Sequence, residues 1–193
     1  MKKLSALIMV LVLLVSAAWA EAPATEAEEP AAVTRTRTLE LDGEALELTE
    51  TQYTAEKYNV WYQADVLEEG MFFDNVRFKP VGAAEDDESV YYMIVPVEIT
   101  ADQAEGMIAE ATGGYDDEWT IAMEREWTTD AGSRILAVDA NNGVEVDRFY
   151  LVVGEDFSLC ITAIYPAEEA EAYSPLFDIM TATIELTAAE AAE

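Results

Sequence analysis

The residues most able to do chemistry lie near the C-terminal end, where Cys160 precedes Glu168, Glu169 and Glu171. A thiol beside carboxylates suggests a nucleophile with an acid and a base. However, the chain has no histidine to lower the thiol pKa, and surrounding negative charge raises it. The alternation of apolar residues from Phe157 to Ala163 predicts a half-buried Cys160 in the middle of a strand. We therefore predict no catalytic residue here.

The absence of histidine excludes whole classes of activity. Serine and cysteine triads need an imidazole base, and most zinc, copper and non-haem iron sites need imidazole ligands. No G-x-S-x-G, Walker or dinucleotide-binding motif occurs either. We predict neither a cofactor nor a metal centre, and we expect a protein that is not an enzyme.

Carboxylates leave two alternatives open, because the chain has 40 acidic residues. A small hydrolase directed at glycosides needs only two suitably spaced carboxyl groups. A cation-binding surface module is the other alternative, with Asp139–Glu145 as a calcium-loop candidate. The glycine of that segment is fifth rather than sixth and no glutamate is twelfth, which favours a hairpin turn. Tyr115–Trp119 and Glu85–Glu88 are more typical of solvated loops.

Aromatic residues in the predicted strands could form a carbohydrate-binding platform, but aromatic residues in strands usually belong to the core. We expect core packing. Trp119 and Trp127 are eight residues apart and would share one side of a strand if no bulge intervenes. The residues considered are Trp61, Trp119, Trp127, Tyr53, Tyr58, Tyr62, Tyr91 and Tyr92.

The N-terminus predicts export. A basic start, an apolar run from Leu4 to Val15 and Ala18-Trp19-Ala20 form a bacterial-type signal peptide over residues 1–20, with a retained anchor as the alternative. Residues 21–33 are an acidic Ala/Glu/Pro linker, residues 34–187 one domain, and residues 188–193 an acidic tail. We expect a secreted or cell-envelope location in a bacterium and no membrane insertion of the mature chain.

Charge restricts the partners. The net charge is −30, and loss of Lys2 and Lys3 with the signal peptide would make it −32. Such a surface repels nucleic acid and attracts cations or basic proteins. We therefore expect no nucleic-acid partner, an unknown protein or cationic ligand, and a monomer.

The remaining patterns predict the elements that would position these residues. Alternating segments flank Asp42-Gly43 and Asn141-Asn142-Gly143, which predicts two type I′ hairpins. A capping box at Thr100 and Gln103 predicts a first helix that ends at Gly113-Gly114. Ser174-Pro175 predicts the start of a second helix. The residues of this helix that would face the sheet are Leu176, Ile179, Met180 and Thr183 or Ile184. Further strands are predicted in YNVWYQADV, MFFDNVRFKP up to Pro80, VYYMIVPVEIT, EWTIAMEREW, SRILAVDA, VEVDRFYLVV and FSLCITAIYP. About eight or nine strands and two helices indicate a single α+β domain with a mainly antiparallel sheet.

The C-terminal segments ITAIYP, AEEAEAYSP and LFDIMTATIEL resemble the end of PsbP-like domains, where a closing strand ends in Tyr-Pro and leads into a helix with a Phe-Asp pair. This superfamily includes an extrinsic photosystem II subunit and a Ran-binding import factor. The resemblance implies an α/β/α sandwich around a central antiparallel sheet and a binding or accessory role. It transfers no site residue, and the histidine-dependent metal binding of some members has no counterpart here.

Overall fold

The computed structural model describes residues 32–41 and 44–187, apart from the side chains of residues 40, 41, 44, 123 and 124. The signal peptide, most of the linker, the Asp42-Gly43 turn and the acidic tail lie outside the described residues. The described residues belong to one compact unit.

The described elements are eleven strands, two α-helices and one 3-10 turn. The strands are β1 Thr34–Leu41, β2 Glu44–Thr54, β3 Tyr58–Tyr62, β4 Leu67–Phe72, β5 Asn75–Pro80, β6 Tyr91–Val97, β7 Thr120–Thr128, β8 Arg134–Asn141, β9 Glu145–Val153, β10 Ser158–Pro166 and β11 Glu185–Leu186. The helices are α1 Ala104–Thr112 and α2 Ala170–Ala182, and the 3-10 turn Ala167–Glu169 precedes α2.

Two sheets carry the fold, and all their pairings are antiparallel. The small sheet has the order β1-β2-β3-β11, and the large sheet the order β4-β5-β6-β10-β9-β8-β7. The prediction of a mainly antiparallel sheet with two helices is thus confirmed. No helix in the described ranges is long and apolar enough to cross a membrane.

The two faces of the large sheet bury different clusters, because side chains alternate along each strand. One face packs against α2 and β3 and holds Tyr92, Tyr150, Ile161 and Phe177 in the main core. The other face packs against α1, where Ala104 and Ile108 contact Leu136, Val138 and Leu151.

The β4–β5 hairpin corrects the prediction of one strand across MFFDNVRFKP. The strand does end at Pro80, but Phe73 and Asp74 form a turn that splits the segment into two strands. Phe73 has a φ of 52°. Within the described ranges, no other non-glycine residue has a positive φ. Asp74 and Asn75 are residue types common in turns, but the phenylalanine that takes the positive φ is not.

The second helix also differs from the prediction, because α2 begins at Ala170 and contains Pro175 in its interior. A proline within a helix removes one hydrogen bond. Burial of Phe177 and Met180 and partial burial of Ala170 offset that loss. The buried stripe is Phe177, Met180 and Thr181, so the predicted Leu176 and Ile179 lie only half-buried beside it.

Smaller differences concern the caps and the second hairpin. At the start of α1, the backbone N–H of Thr100 donates to Gln103 Oε1 at 3.0 Å, but Gln103 is the N-cap and no side chain caps the helix. Only one of the two hydrogen bonds of the predicted capping box therefore forms.

The loop between β8 and β9 differs from the predicted turn. Between β8 and β9 only Gly143 has positive φ, and three residues separate the strands. The loop is therefore not type I′, which needs positive φ at two central residues.

Candidate binding site

The end of the β4–β5 hairpin exposes three adjacent apolar side chains. Met71, Phe72 and Phe73, here called the aromatic tip, are 62%, 39% and 85% exposed. The rings of Phe72 and Phe73 pack edge to face with their centroids 4.8 Å apart. A phenylalanine held in the left-handed region costs roughly 1–3 kcal/mol. The chain therefore holds a large apolar side chain in water at an energetic cost.

Arg77 on β5 supports the aromatic tip from one side. Its guanidinium carbon lies 4.5 Å from the ring centroid of Phe72 and 5.8 Å from that of Tyr91. Its Nη1 also donates to both carboxylate oxygens of Glu88, at 2.8 and 2.6 Å. Because Arg77 is largely buried and paired, it fixes Phe72 without adding positive charge to the surface.

Lys79 fastens the neighbouring loop. Its Nζ donates to the carbonyl oxygens of Ala84 and Glu85, both at 3.0 Å. A groove of about 300 Å³ runs between this loop and β4, beside the aromatic tip. Exposed carboxylates border the groove and the tip: Glu68, Glu69 and Glu85 line the groove, Asp74 follows Phe73 in the turn, and Glu88 is bonded to Arg77. The site is an apolar projection with an acidic rim.

A second polar cluster joins α2 to the sheet. Arg148 on β9 makes two hydrogen bonds of 2.6 Å to Asp139 on β8 and reaches Asp178 and the carbonyl of Ser174 on α2. Tyr150 donates to Asp178 at 2.9 Å, and Arg125 donates to the same carboxylate at 3.0 Å. Burial opposes the charge on Arg148, but the bonds to Asp139 and the charge of Asp178 raise its pKa above the ordinary value. Both carboxylates are neutralised, so the cluster holds α2 in place and leaves no free acid–base pair.

A third polar contact lies on the opposite face of the large sheet. Tyr115, in the loop after α1, donates a hydrogen bond to Asp147 on β9. Burial raises the pKa of Asp147, while the bond from Tyr115 acts in the other direction. The contact closes the α1 side of the sheet, but no further acid or base in the described residues is bonded to it.

The structure places Cys160 half-buried at the third position of β10, where it faces the cluster under α1. Burial raises the pKa of its thiol to about 11. Glu168, Glu169 and Glu171 are not brought to it, since they lie on the 3-10 turn and α2, and α2 packs on the other face of the sheet. The sequence-derived thiol–acid pair is not assembled.

The calcium candidate is a hairpin loop in the structure. Asn141 Oδ1 accepts from the backbone N–H of Gly143, and Asn142 Oδ1 accepts from those of Val144 and Glu145. Asp139 is bonded to Arg148. Among the side chains that the structure describes, no three from acidic or cysteine residues converge as metal ligands.

Most aromatic residues considered as a platform lie in the core. Tyr58, Tyr62 and Tyr92 are buried, and Tyr53 and Trp127 pack against the same cluster. Trp119 and Trp127 do not share a side, because a β-bulge between Ala122 and Arg125 shifts the register of β7. Trp119 packs on Tyr115 and Trp127 on Tyr150, on opposite faces of the sheet. The aromatic tip itself was missed, because its residue types favour a strand interior.

Comparison with known proteins gives the fold. No protein-family model matches the chain, and no curated protein matches it. The solution structure of cyanobacterial PsbP (CyanoP) from Synechocystis is similar, with a TM-score of 0.50 and 11% identity over 70% of this chain and 91% of that chain. A crystal structure from Bacteroides thetaiotaomicron has a TM-score of 0.39 and 10% identity over 68% of this chain and 45% of that chain, which is too weak to support an argument. The sequence resemblance is thereby confirmed: the chain has a PsbP-like fold.

Proposed function

We propose that this chain is a bacterial exported, non-enzymatic binding or accessory domain that recognises a protein partner through the aromatic tip. With α1 and α2 packed on opposite faces of the large sheet, we assign it the α/β/α arrangement of PsbP-like domains. The observation that carries the proposal is the exposure of Met71, Phe72 and Phe73 at the end of a well-supported hairpin.

Exposed apolar clusters mark interaction sites, since water contact around them is unfavourable until a partner covers them. The three tip residues are adjacent, and Arg77 and the Lys79 contacts fix the hairpin beneath them. A rigid aromatic anchor loses little conformational entropy on binding. These features support recognition by insertion of the tip into an apolar recess.

A protein is favoured over a lipid surface by charge. The chain has a net charge of −30, and the exposed residues around the tip are acidic. Anionic lipid would repel such a surface. A folded partner can combine an apolar recess with positive side chains.

Among the described side chains, we identify no free pair of acids at a cleft of the kind that the rival function, a carboxylate-only hydrolase, needs. Asp139 and Asp178, which converge from β8 and α2, are both bonded to Arg148, and Glu50 and Asp130 are both bonded to Arg37. Turnover on a panel of glycosides that disappears in Asp139→Asn or Asp178→Asn would overturn the non-enzymatic proposal.

A random peptide library displayed on phage tests the binding function. We expect selection on the wild-type domain to yield clones that bind at least about tenfold more weakly to the Phe72→Ser/Phe73→Ser variant. Val144→Ser is the matched control, because Val144 is also apolar and 78% exposed but lies on the β8–β9 loop. Clones that bind wild type and the double variant equally, or tip-dependent binding to lipid vesicles alone, would overturn the proposal.

A further inference from the structure

Strand β4 is an edge of the large sheet, because within the described residues it pairs only with β5. Every residue of β4 after Leu67 is exposed. Edge strands offer unpaired backbone groups to a further strand unless something blocks them. At the other edge of the sheet, a bulge in β7 disrupts the regular ladder. The β4 edge is regular and continues directly into the aromatic tip.

The register shows which backbone groups of β4 are free. Val81 donates its N–H to the carbonyl of Val66 at 3.0 Å, and this pair continues the β4–β5 register. In an antiparallel ladder every second pair exchanges hydrogen bonds. The bonded residues of β4 are therefore Glu68, Gly70 and Phe72, whereas the N–H and C=O groups of Glu69 and Met71 point away from β5.

The side chains of β4 define what could lie beside it. Glu68 is paired with Lys79 across the ladder, but the Lys79 ammonium is occupied by two backbone carbonyls. Glu69, on the opposite face, accepts a hydrogen bond of 3.2 Å from Tyr62. Opposite charges on neighbouring strands stabilise their pairing, and like charges destabilise it. A second copy of this acidic chain is therefore a poor neighbour for β4.

We propose that β4 binds an extended segment of the partner as an additional strand, with lysine or arginine beside Glu68 and Glu69 and apolar side chains beside the aromatic tip. This inference rests on the proposed function, since β4 and the tip belong to one hairpin. Backbone hydrogen bonds to Glu69 and Met71 supply affinity, and the two glutamates select a basic segment.

Two Met71 variants separate the backbone from the side chain. Met71→Ser removes the apolar side chain and keeps the outward N–H, whereas Met71→Pro removes both. Proline is tolerated on an edge strand where its nitrogen faces solvent. We expect Met71→Pro to bind a short capped Val/Lys peptide, with two adjacent lysines flanked by valines, at least about fivefold more weakly than Met71→Ser does, by fluorescence anisotropy. The matching Val/Glu peptide should not bind.

Hydrogen exchange gives a second readout. The amides of Glu69 and Met71 should exchange more slowly when the Val/Lys peptide is bound, while the already bonded amide of Gly70 should change less. Equal affinities of Met71→Pro and Met71→Ser, unchanged exchange, or no binding of the peptide at about 1 mM would overturn strand addition. Suppose that strand addition fails but clones from the peptide library still bind the Phe72→Ser/Phe73→Ser variant more weakly than the wild type. The tip then remains a binding site. If the clones bind both proteins equally, the proposed function fails as well.

Discussion

At the scale of single residues, the charged side chains of the large sheet fix structure more than they offer chemistry. Arg148 is almost fully buried and holds two carboxylates from β8 and α2. The sequence shows Arg148, Asp139 and Asp178 as separate charges in a strongly charged chain, and their spacing does not indicate that they meet. Only the antiparallel register of β8 with β9 brings Arg148 opposite Asp139.

We expect Arg148→Met to lower the free energy of unfolding by about 3 kcal/mol, because it leaves Asp139 and Asp178 close together with only the more exposed Arg125 to pair with. Urea unfolding followed by tryptophan fluorescence measures the loss. Arg134→Met is the control, since Arg134 pairs with Glu126 at the surface and its loss should matter much less. Equal losses of unfolding free energy in the two variants would show that the contacts of Arg148 with α2 do not stabilise the fold more than a surface ion pair does.

Asp147 gives a prediction with a pH dependence. Burial raises its pKa in the folded state, so the native carboxyl binds a proton more tightly than the unfolded one. The ionised form therefore destabilises the fold near neutral pH, and this penalty disappears as pH falls through the folded-state pKa. We expect Asp147→Asn to be more stable than wild type at about pH 7 and equal to it below about pH 3.

Denaturant unfolding across this pH range measures the difference between the two proteins. Tyr115→Phe is a useful companion, because it removes the hydrogen bond that favours the ionised carboxylate. It should destabilise the wild type at neutral pH. A wild type that is more stable than Asp147→Asn at pH 7 would mean that the bond from Tyr115 outweighs the burial.

At the scale of elements, sequence patterns identified most of the strands after Val90. β6, β7, β8, β9 and β10 follow apolar runs or alternation bounded by turn residues, and Pro96 lies near the end of β6 as expected. The β4–β5 hairpin was missed, because its aromatic residues fit a strand and outweighed the turn signal of Asp74 and Asn75, and neither glycine nor proline marks the turn. The alternation of apolar and polar residues indicates a strand, but it does not show whether that strand lies at a solvent-exposed edge of the sheet.

Helix α2 shows a different limit of local rules. Ser174-Pro175 is a good helix start in isolation. However, residues before and after Pro175 pack against the main core, and the helix therefore extends back to Ala170. We expect Pro175→Ala to stabilise the protein by about 1–3 kcal/mol, because alanine restores the N–H that an interior helical position requires.

Urea unfolding of Pro175→Ala measures this gain. Ala172→Gly serves as its comparison and should lose about 0.5–1 kcal/mol if Ala172 is helical. If Pro175→Ala destabilises the protein and Ala172→Gly is neutral, the helix begins at Ser174 and the proline occupies its first turn.

At the scale of the whole molecule, charge opposes compaction. The sequence has 40 acidic residues and 10 basic ones, and several of the basic ones are occupied in internal ion pairs, such as Arg35 and Arg37 with the buried Glu50. Repulsion among the remaining carboxylates destabilises the compact state more than the expanded one.

We expect the thermal unfolding midpoint to rise by about 5 °C between about 0.01 and 0.5 M sodium chloride, since added ions screen this repulsion. Differential scanning calorimetry measures the shift, and choline chloride should give the same value if screening is the cause. A larger rise in calcium chloride at equal ionic strength would instead favour the cation-binding alternative. A flat profile would contradict the repulsion argument.

The pairing of β11 with β3 delays folding during synthesis, because the two strands are far apart in the sequence. Thr183 exchanges hydrogen bonds with the backbone of Trp61, 122 residues earlier, and Thr187 bonds back to Glu56 and Lys57. At roughly 5–20 residues per second, a ribosome needs about 6–24 seconds to travel from one partner to the other. Throughout that interval one side of β3 stays open and the central aromatic core lacks Phe177 and Ile184. The native state therefore cannot form before β11, the last strand of the described residues, has been made and can pair with β3.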